Sequence, residues 1–205
     1  MRTARLADIV SHCDGLLNIT TFDDWDGAVN GLQVENRGTV TRIAVAVDAS
    51  LATVKLAIAA RADLLIVHHG LFWKPSHPWT GARYELLTLL LENNLAVYSS
   101  HLPLDAHPRL GNNAQLCRAL ALSKLKPFFF EKGRFIGYKS ETRLKRQELT
   151  GRLHHALKAL PKVRGMNDIY APAFTTNLNR AFTGEITATE AARLIDEKAT
   201  PLIKK

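Results

Sequence analysis

Residues 43–69 read IAVAVDASLATVKLAIAARADLLIVHH. Two short apolar runs, Ile43–Val47 and Leu64–Val67, enclose a segment rich in alanine and leucine. Both runs are short enough for strands and carry the β-branched residues of strands buried on both faces. Ser50 stands where a helix N-cap is expected, so residues 51–62 are read as a helix. Strand, helix and strand within 27 residues imply parallel pairing through a crossover.

The alternation continues in both directions. ARYELLTLLLENN (82–94) has helical spacing and ends on two asparagines. LAVYSSHL (95–102) is read as a third buried strand. GNNAQLCRALAL (111–122) is read as a helix opened by Gly111 and a capping Asn. Upstream, residues 2–14 have helical spacing, with Leu6, Ile9 and Val10 on one side. FDDWDGAVNGLQVENRGTV (22–40) reads as a loop with a short extended piece. The expected fold class is a layered α/β domain, a parallel or mixed sheet with flanking helices. Residues 1–122 are expected to form one lobe and residues 123–205 a shorter second one. In the latter, 125–141 can hold one or two strands, 145–160 a helix and 186–201 another helix.

The chain has 205 residues, 46% of them hydrophobic and 22% charged, as in a globular protein. Neither a signal peptide nor a membrane span is recognisable, so a cytoplasmic location is expected. Cys13 and Cys117 have no zinc-binding or redox spacing and are read as ordinary thiols. The net charge of +8 favours acidic partners, nucleic acid among them, although a solvated basic face explains it as simply.

In parallel α/β sheets ligands bind at the carboxyl ends of the strands. The first strand here ends at Asp48, the second at His68 and His69, and the third at His101, with Asp105 four residues on. Imidazole and carboxylate together suit a divalent metal ion. Neighbours on a regular strand point to opposite faces, so His68 and His69 converge only where the strand breaks. Gly70 makes such a break available. The spacing also allows structural readings: histidines that merely finish strands, and Asp48 as the cap of the next helix. His154 and His155 fall on a basic helix and are read as surface residues. His77 and His107 precede prolines and are assigned no ligand role.

NGLQVE (30–35), VDAS (47–50), IVHHGLFWK (66–74), SHLPLDAHPRLGNNAQL (100–116) and FTGEIT (182–187) occur in this order. Together they resemble the Nif-three-like dinuclear-metal-centre family, whose bacterial members are often called GTP cyclohydrolase I type 2 homologues. The resemblance implies two related α/β lobes, six subunits in a ring and a centre of two metal ions in each subunit. Carried over, the first-half ligands are His68, His69 and Asp105, with Asp105 bridging. His101 is placed beside the ions, orienting a ligand or facing substrate.

The family completes its site with an HHATER-like stretch supplying a His and a Glu. After TGEI this sequence has no further histidine. Glu185 is the one late carboxylate in a matching motif, and it is not the family's ligand. The resemblance therefore implies a shortened second lobe, an incomplete site, and one weakly held ion or none. Two functions are expected to compete: a metal-dependent hydrolase, and a non-catalytic binding or assembly protein associated with nucleic acid.

Overall fold

The computed structural model describes residues 3–73 and 76–158. In chain order the elements are β1 (Ala4–Arg5), α1 (Leu6–Leu17), β2 (Gly31–Val34), β3 (Thr39–Val40), β4 (Ile43–Asp48), α2 (Leu51–Ala59) and β5 (Leu64–His69). They continue with α3 (Ala82–Glu92), β6 (Ala96–Ser99), α4 (Leu102–Asp105), α5 (Asn112–Ala119), β7 (Lys126–Glu131), β8 (Arg134–Lys139) and α6 (Arg146–Lys158). They divide into two compact units, one running to Thr142 and one starting at Arg143. In the second, α6 carries an Arg152–Glu148 ion pair one turn apart.

The first unit is built on a four-stranded mixed sheet in the order β2-β6-β5-β4. β4, β5 and β6 are parallel, as the strand–helix alternation requires, and β2 joins the far edge antiparallel to β6. The Ser50 hydroxyl accepts from the Thr53 amide at 3.2 Å and opens α2 as anticipated. Val54 and Ala57 of α2 and Leu86 and Leu90 of α3 pack with Leu65, Val67 and Val97 on one face of the sheet. On the other face Leu6, Ile9, Val10 and Cys13 of α1 pack with Leu64, Ile66, Ala96 and Tyr98. Asp63 ties the strand starts together. Its carboxylate accepts from the Thr41 and Arg42 amides at 2.7 and 2.9 Å, and its backbone oxygen accepts from the Ala96 amide at 3.0 Å.

Three local readings need correction. β4 is not buried on both faces: it is an edge strand of the sheet, and Ile43, Val45 and Val47 are exposed, Val45 at 78%. Its inward residues Ala44 and Ala46 pack on the α2 side, while α1 packs over β5 and β6 instead. An apolar run reads alike in a central and an edge strand, which is why the pattern misled. Second, α5 is capped by Gly111 alone; Asn112 lies inside the helix, and its side-chain amide donates to Asp105 Oδ1 at 2.8 Å. Third, the chain after β6 turns at once into the short helix α4, which carries Asp105.

The stretch 125–141 forms a β7–β8 hairpin. Its turn residues Lys132 and Gly133 have φ of 50° and 76°, as a two-residue turn of the I′ type requires. Ile136 packs against Phe22 and Leu102, whereas Phe128, Phe130 and Phe135 are exposed. Among the described residues no helix is long and apolar enough to cross a membrane. The helix read over 186–201 and the FTGEIT motif with Glu185 lie outside the described residues.

This layering sets a measurable contrast. Leu65 is 1% exposed, and truncation to alanine is expected to cost about 2–5 kcal/mol through lost burial and a cavity. Val45→Lys on the bare face is expected to change stability by no more than ~0.5 kcal/mol. Urea unfolding of both variants checks the pair; equal losses would contradict the assigned layers.

Candidate metal centre

The carboxyl ends of β4, β5 and β6 bring Asp48, His68, His69 and His101 to one place. In the parallel ladder Asp48 is the direct partner of His69, and its Oδ1 accepts from His69 Nδ1 at 2.7 Å. Ser50 supplies the cap of α2, so the capping role read for Asp48 is replaced by this bond to histidine. The backbone carbonyl of Ser100, one residue past β6, accepts from His68 Nδ1 at 3.0 Å. His68 and His69 do converge, their ring centroids 4.6 Å apart.

Gly70 acts differently from the expected break. Its φ is not positive. A Cβ there would overlap the Gln33 side-chain amide. That amide accepts from Leu71 N at 2.6 Å and donates to the Val29 carbonyl at 2.6 Å, fixing the chain just past the histidines. The need at position 70 is for space.

His101 stands 4.9 Å from His68 and 5.5 Å from His69, ring centre to ring centre. The three imidazoles offer ligand atoms that all lie within 4.8 Å of one another. Trp73 sets its ring edge-on at 5.1 Å from His101 and 6.2 Å from His69, and its indole N–H donates to the Gly70 carbonyl at 3.0 Å. Asp105 Oδ2 faces His68 Nε2 at 3.6 Å. That separation is beyond a hydrogen bond.

The electrostatics follow from these contacts. Burial pushes the His68 pKa below the ordinary imidazole value; Asp105 and the Ser100 carbonyl pull the other way, and His69 and His101 add to the lowering. His68 is thus biased to the neutral form, with its proton on Nδ1 and a lone pair on Nε2. A lone pair and a carboxylate oxygen facing each other without a bond is an arrangement a cation satisfies. The donor set of imidazole nitrogen and carboxylate oxygen fits a borderline divalent ion.

Of the remaining histidines, His107 stays local, its Nδ1 accepting from the Arg109 and Leu110 amides at 3.2 and 3.0 Å. His155 is exposed and His154 half-buried on α6. Sequence reasoning missed Asp24, Asn30 and Trp73 as parts of this centre. Trp73 stands four residues after His69 and was the most accessible signal. Asp24 and Asn30 come from the stretch read as a loop with a short extended piece, and Asn30 enters that reading only as the start of NGLQVE.

The family model for DUF34/NIF3 (NGG1p interacting factor 3) matches residues 4–191. The chain belongs to the DUF34/NIF3 family. Similar proteins include the GTP cyclohydrolase 1 type 2 homolog of Chlamydia pneumoniae, 49% identical over 125 residues that make up 60% of this chain and 49% of the relative. Its counterpart in Deinococcus radiodurans is 46% identical over 112 residues, 55% of this chain and 43% of the relative. This DUF34/NIF3 chain spans about half the length of the curated relatives it matches. Among solved structures, TTHA1606 from Thermus thermophilus superposes with a TM-score of 0.65 at 37% identity, covering 74% of this chain and 61% of that one. The protein ybgI, described as of unknown function, gives 0.63 at 33% identity, with 78% and 63% covered. The α/β architecture is therefore that of the DUF34/NIF3 proteins.

Proposed function

We propose that this DUF34/NIF3 chain binds a divalent metal ion through His68, His69 and Asp105 and uses it in hydrolysis. The observation that carries the reading is the unbonded approach of Asp105 Oδ2 to His68 Nε2 at 3.6 Å, beside a second imidazole already fixed by Asp48. A divalent ion held there supplies Lewis acidity and activates water. The chain's own residues do the rest. Asp48 and the Ser100 carbonyl keep the Nδ1 protons of His69 and His68, leaving each Nε2 free to bind. Asn112 holds the other oxygen of Asp105. Trp73 walls one side of the imidazole group. The name borne by the relatives, GTP cyclohydrolase 1 type 2 homolog, points to a nucleotide substrate. Two free cysteines suit a cytoplasmic setting.

The test is metal content after purification without chelator, for wild type and Asp105→Ala, with nucleotide turnover followed in parallel. Wild type is expected to retain an ion that Asp105→Ala largely loses, and a chelator is expected to abolish turnover. Equal metal content in the two proteins ends the proposal.

A second reading, a non-catalytic assembly protein forming homo-oligomers, is favoured by the exposed Ile43, Val45 and Val47 on one sheet face and by the exposed phenylalanines of the hairpin. Metal retention without turnover, in a protein that sediments as an oligomer, would favour it.

A further inference from the structure

We propose that His101 is a third imidazole ligand at this centre, and that Asp24 is the positioning residue that makes it one. The inference rests on the metal-binding reading above and adds a donor to it.

The sequence reading placed His101 beside the ions. The geometry makes it the equal of His68 and His69: the ligand atoms of all three fall in one group of 4.8 Å. A ring nitrogen binds an ion only if it carries no proton, and its proton is set by what the other nitrogen touches. His101 Nδ1 lies 2.9 Å from Asp24 Oδ1. The Asp24 side chain is 5% exposed and takes three further donors: the Trp25 amide at 2.6 Å on Oδ1, and Asn30 Nδ2 at 2.7 Å and the Leu102 amide at 3.1 Å on Oδ2.

With two backbone amides and the Asn30 side chain already donating to its oxygens, Asp24 is set as an acceptor on every side. An ionised carboxylate accepts only. His101 Nδ1 must therefore carry the proton, and Nε2 keeps its lone pair. Asn30 completes the clamp by accepting the His101 backbone amide on Oδ1 at 2.7 Å. Each imidazole of the group thus has its Nδ1 against an oxygen: Ser100 O, Asp48 Oδ1 or Asp24 Oδ1. That uniform arrangement is what ligation by Nε2 requires. Loops that only finish strands have no need of it.

The consequence is one of donor number. His68, His69 and His101 give the first compact unit three mutually close imidazole donors, and Asp105 faces one of them, His68, from outside that group. Among the described residues, one ion per chain then has three imidazole ligands.

The test uses the full chain, stripped and titrated with zinc against a chromogenic chelator. Wild type is expected to bind one zinc. His101→Ala and Asp24→Ala are each expected to weaken binding at least tenfold, within the ~10–100-fold range for loss of an orienting partner or more. Asp24→Asn keeps one acceptor oxygen and is expected to fall between. A second readout is independent of affinity and of fold loss in the variants. In wild type, long-range imidazole ¹⁵N spectra are expected to show the Nδ1–H tautomer of His101 and a zinc-induced shift at its Nε2. Wild-type zinc affinity in folded His101→Ala, or no shift at His101 Nε2 on loading, overturns the inference and leaves the His68, His69 and Asp105 centre standing. No zinc bound by wild type overturns both.

Discussion

His68→Ala is expected to cost the protein at least about a hundredfold in affinity for a divalent ion, beyond what loss of an orienting partner alone does. His68 stands at the middle of the centre. Its ring centre lies 4.6 Å from that of His69 and 4.9 Å from that of His101, and its Nε2 is the nitrogen that Asp105 faces. Removing it takes away the imidazole that Asp105 faces. The Ser100 carbonyl loses its donor as well, so the β5–β6 junction loosens. Isothermal titration of the stripped proteins with zinc measures the loss; an unchanged dissociation constant would place the ion elsewhere.

Acid should do by degrees what the substitution does outright. A histidine must be neutral to bind an ion, and an ordinary imidazole takes its proton near pH ~6.5. The fold holds the His68 pKa below that value, chiefly by burial. The unfolded chain therefore binds more protons than the folded one as pH falls through ~6.5, by linkage. The metal-free protein should be most stable above about pH 6.5. It should lose stability as pH drops from there toward the lowered folded value, and level off below it. In His68→Ala that part of the pH profile should flatten.

Gly111→Ala is expected to be the most damaging single methyl group added to the fold, costing about 3 kcal/mol, at the upper end for overpacking. A Cβ at Gly111 would stand 2.5 Å from the carbonyl oxygens of His107 and Leu104 and 2.7 Å from that of Asp105. All three are backbone atoms of the α4–α5 corner, so no side chain can swing aside. The corner itself must move, and Asp105 with it. Metal affinity should fall together with stability. Gly15→Ala is the control: it lies within α1, a Cβ there meets nothing within 4 Å, and alanine is the better helix former. That substitution should stabilise by roughly 0.5–1 kcal/mol. Thermal unfolding of the two variants should move in opposite directions.

The three parallel strands and the helices between them were legible because period, length and punctuation agreed in each segment. IAVAV, LLIV and AVYS were short apolar runs, with Ser50 and Asn93-Asn94 as boundaries. The antiparallel strand GLQV was seen only as an extended piece, since four residues carry too little period to assign a partner. Burial of β4 was misread because it depends on where a strand lies in the sheet, which its own residues do not encode. The site was legible in part for a similar reason. His68, His69, His101 and Asp105 announce themselves by residue type at strand ends. Asp24, Asn30 and Asp48 act on histidines 77, 71 and 21 positions away along the chain. Contacts at that range follow from topology, and local pattern does not contain them.

β4 links these matters in another way. It is an edge strand with an uncovered face, so its pairing is open to local fraying. Its last residue is Asp48, which fixes the tautomer of His69. Each opening of β4 frees that imidazole to rotate, and an ion bound by it as proposed would hold the strand closed. Fraying of the sheet margin and retention of the ion would then be one linked equilibrium, and amide exchange along Ile43–Asp48 would report the occupancy of a site that most of these amides never touch.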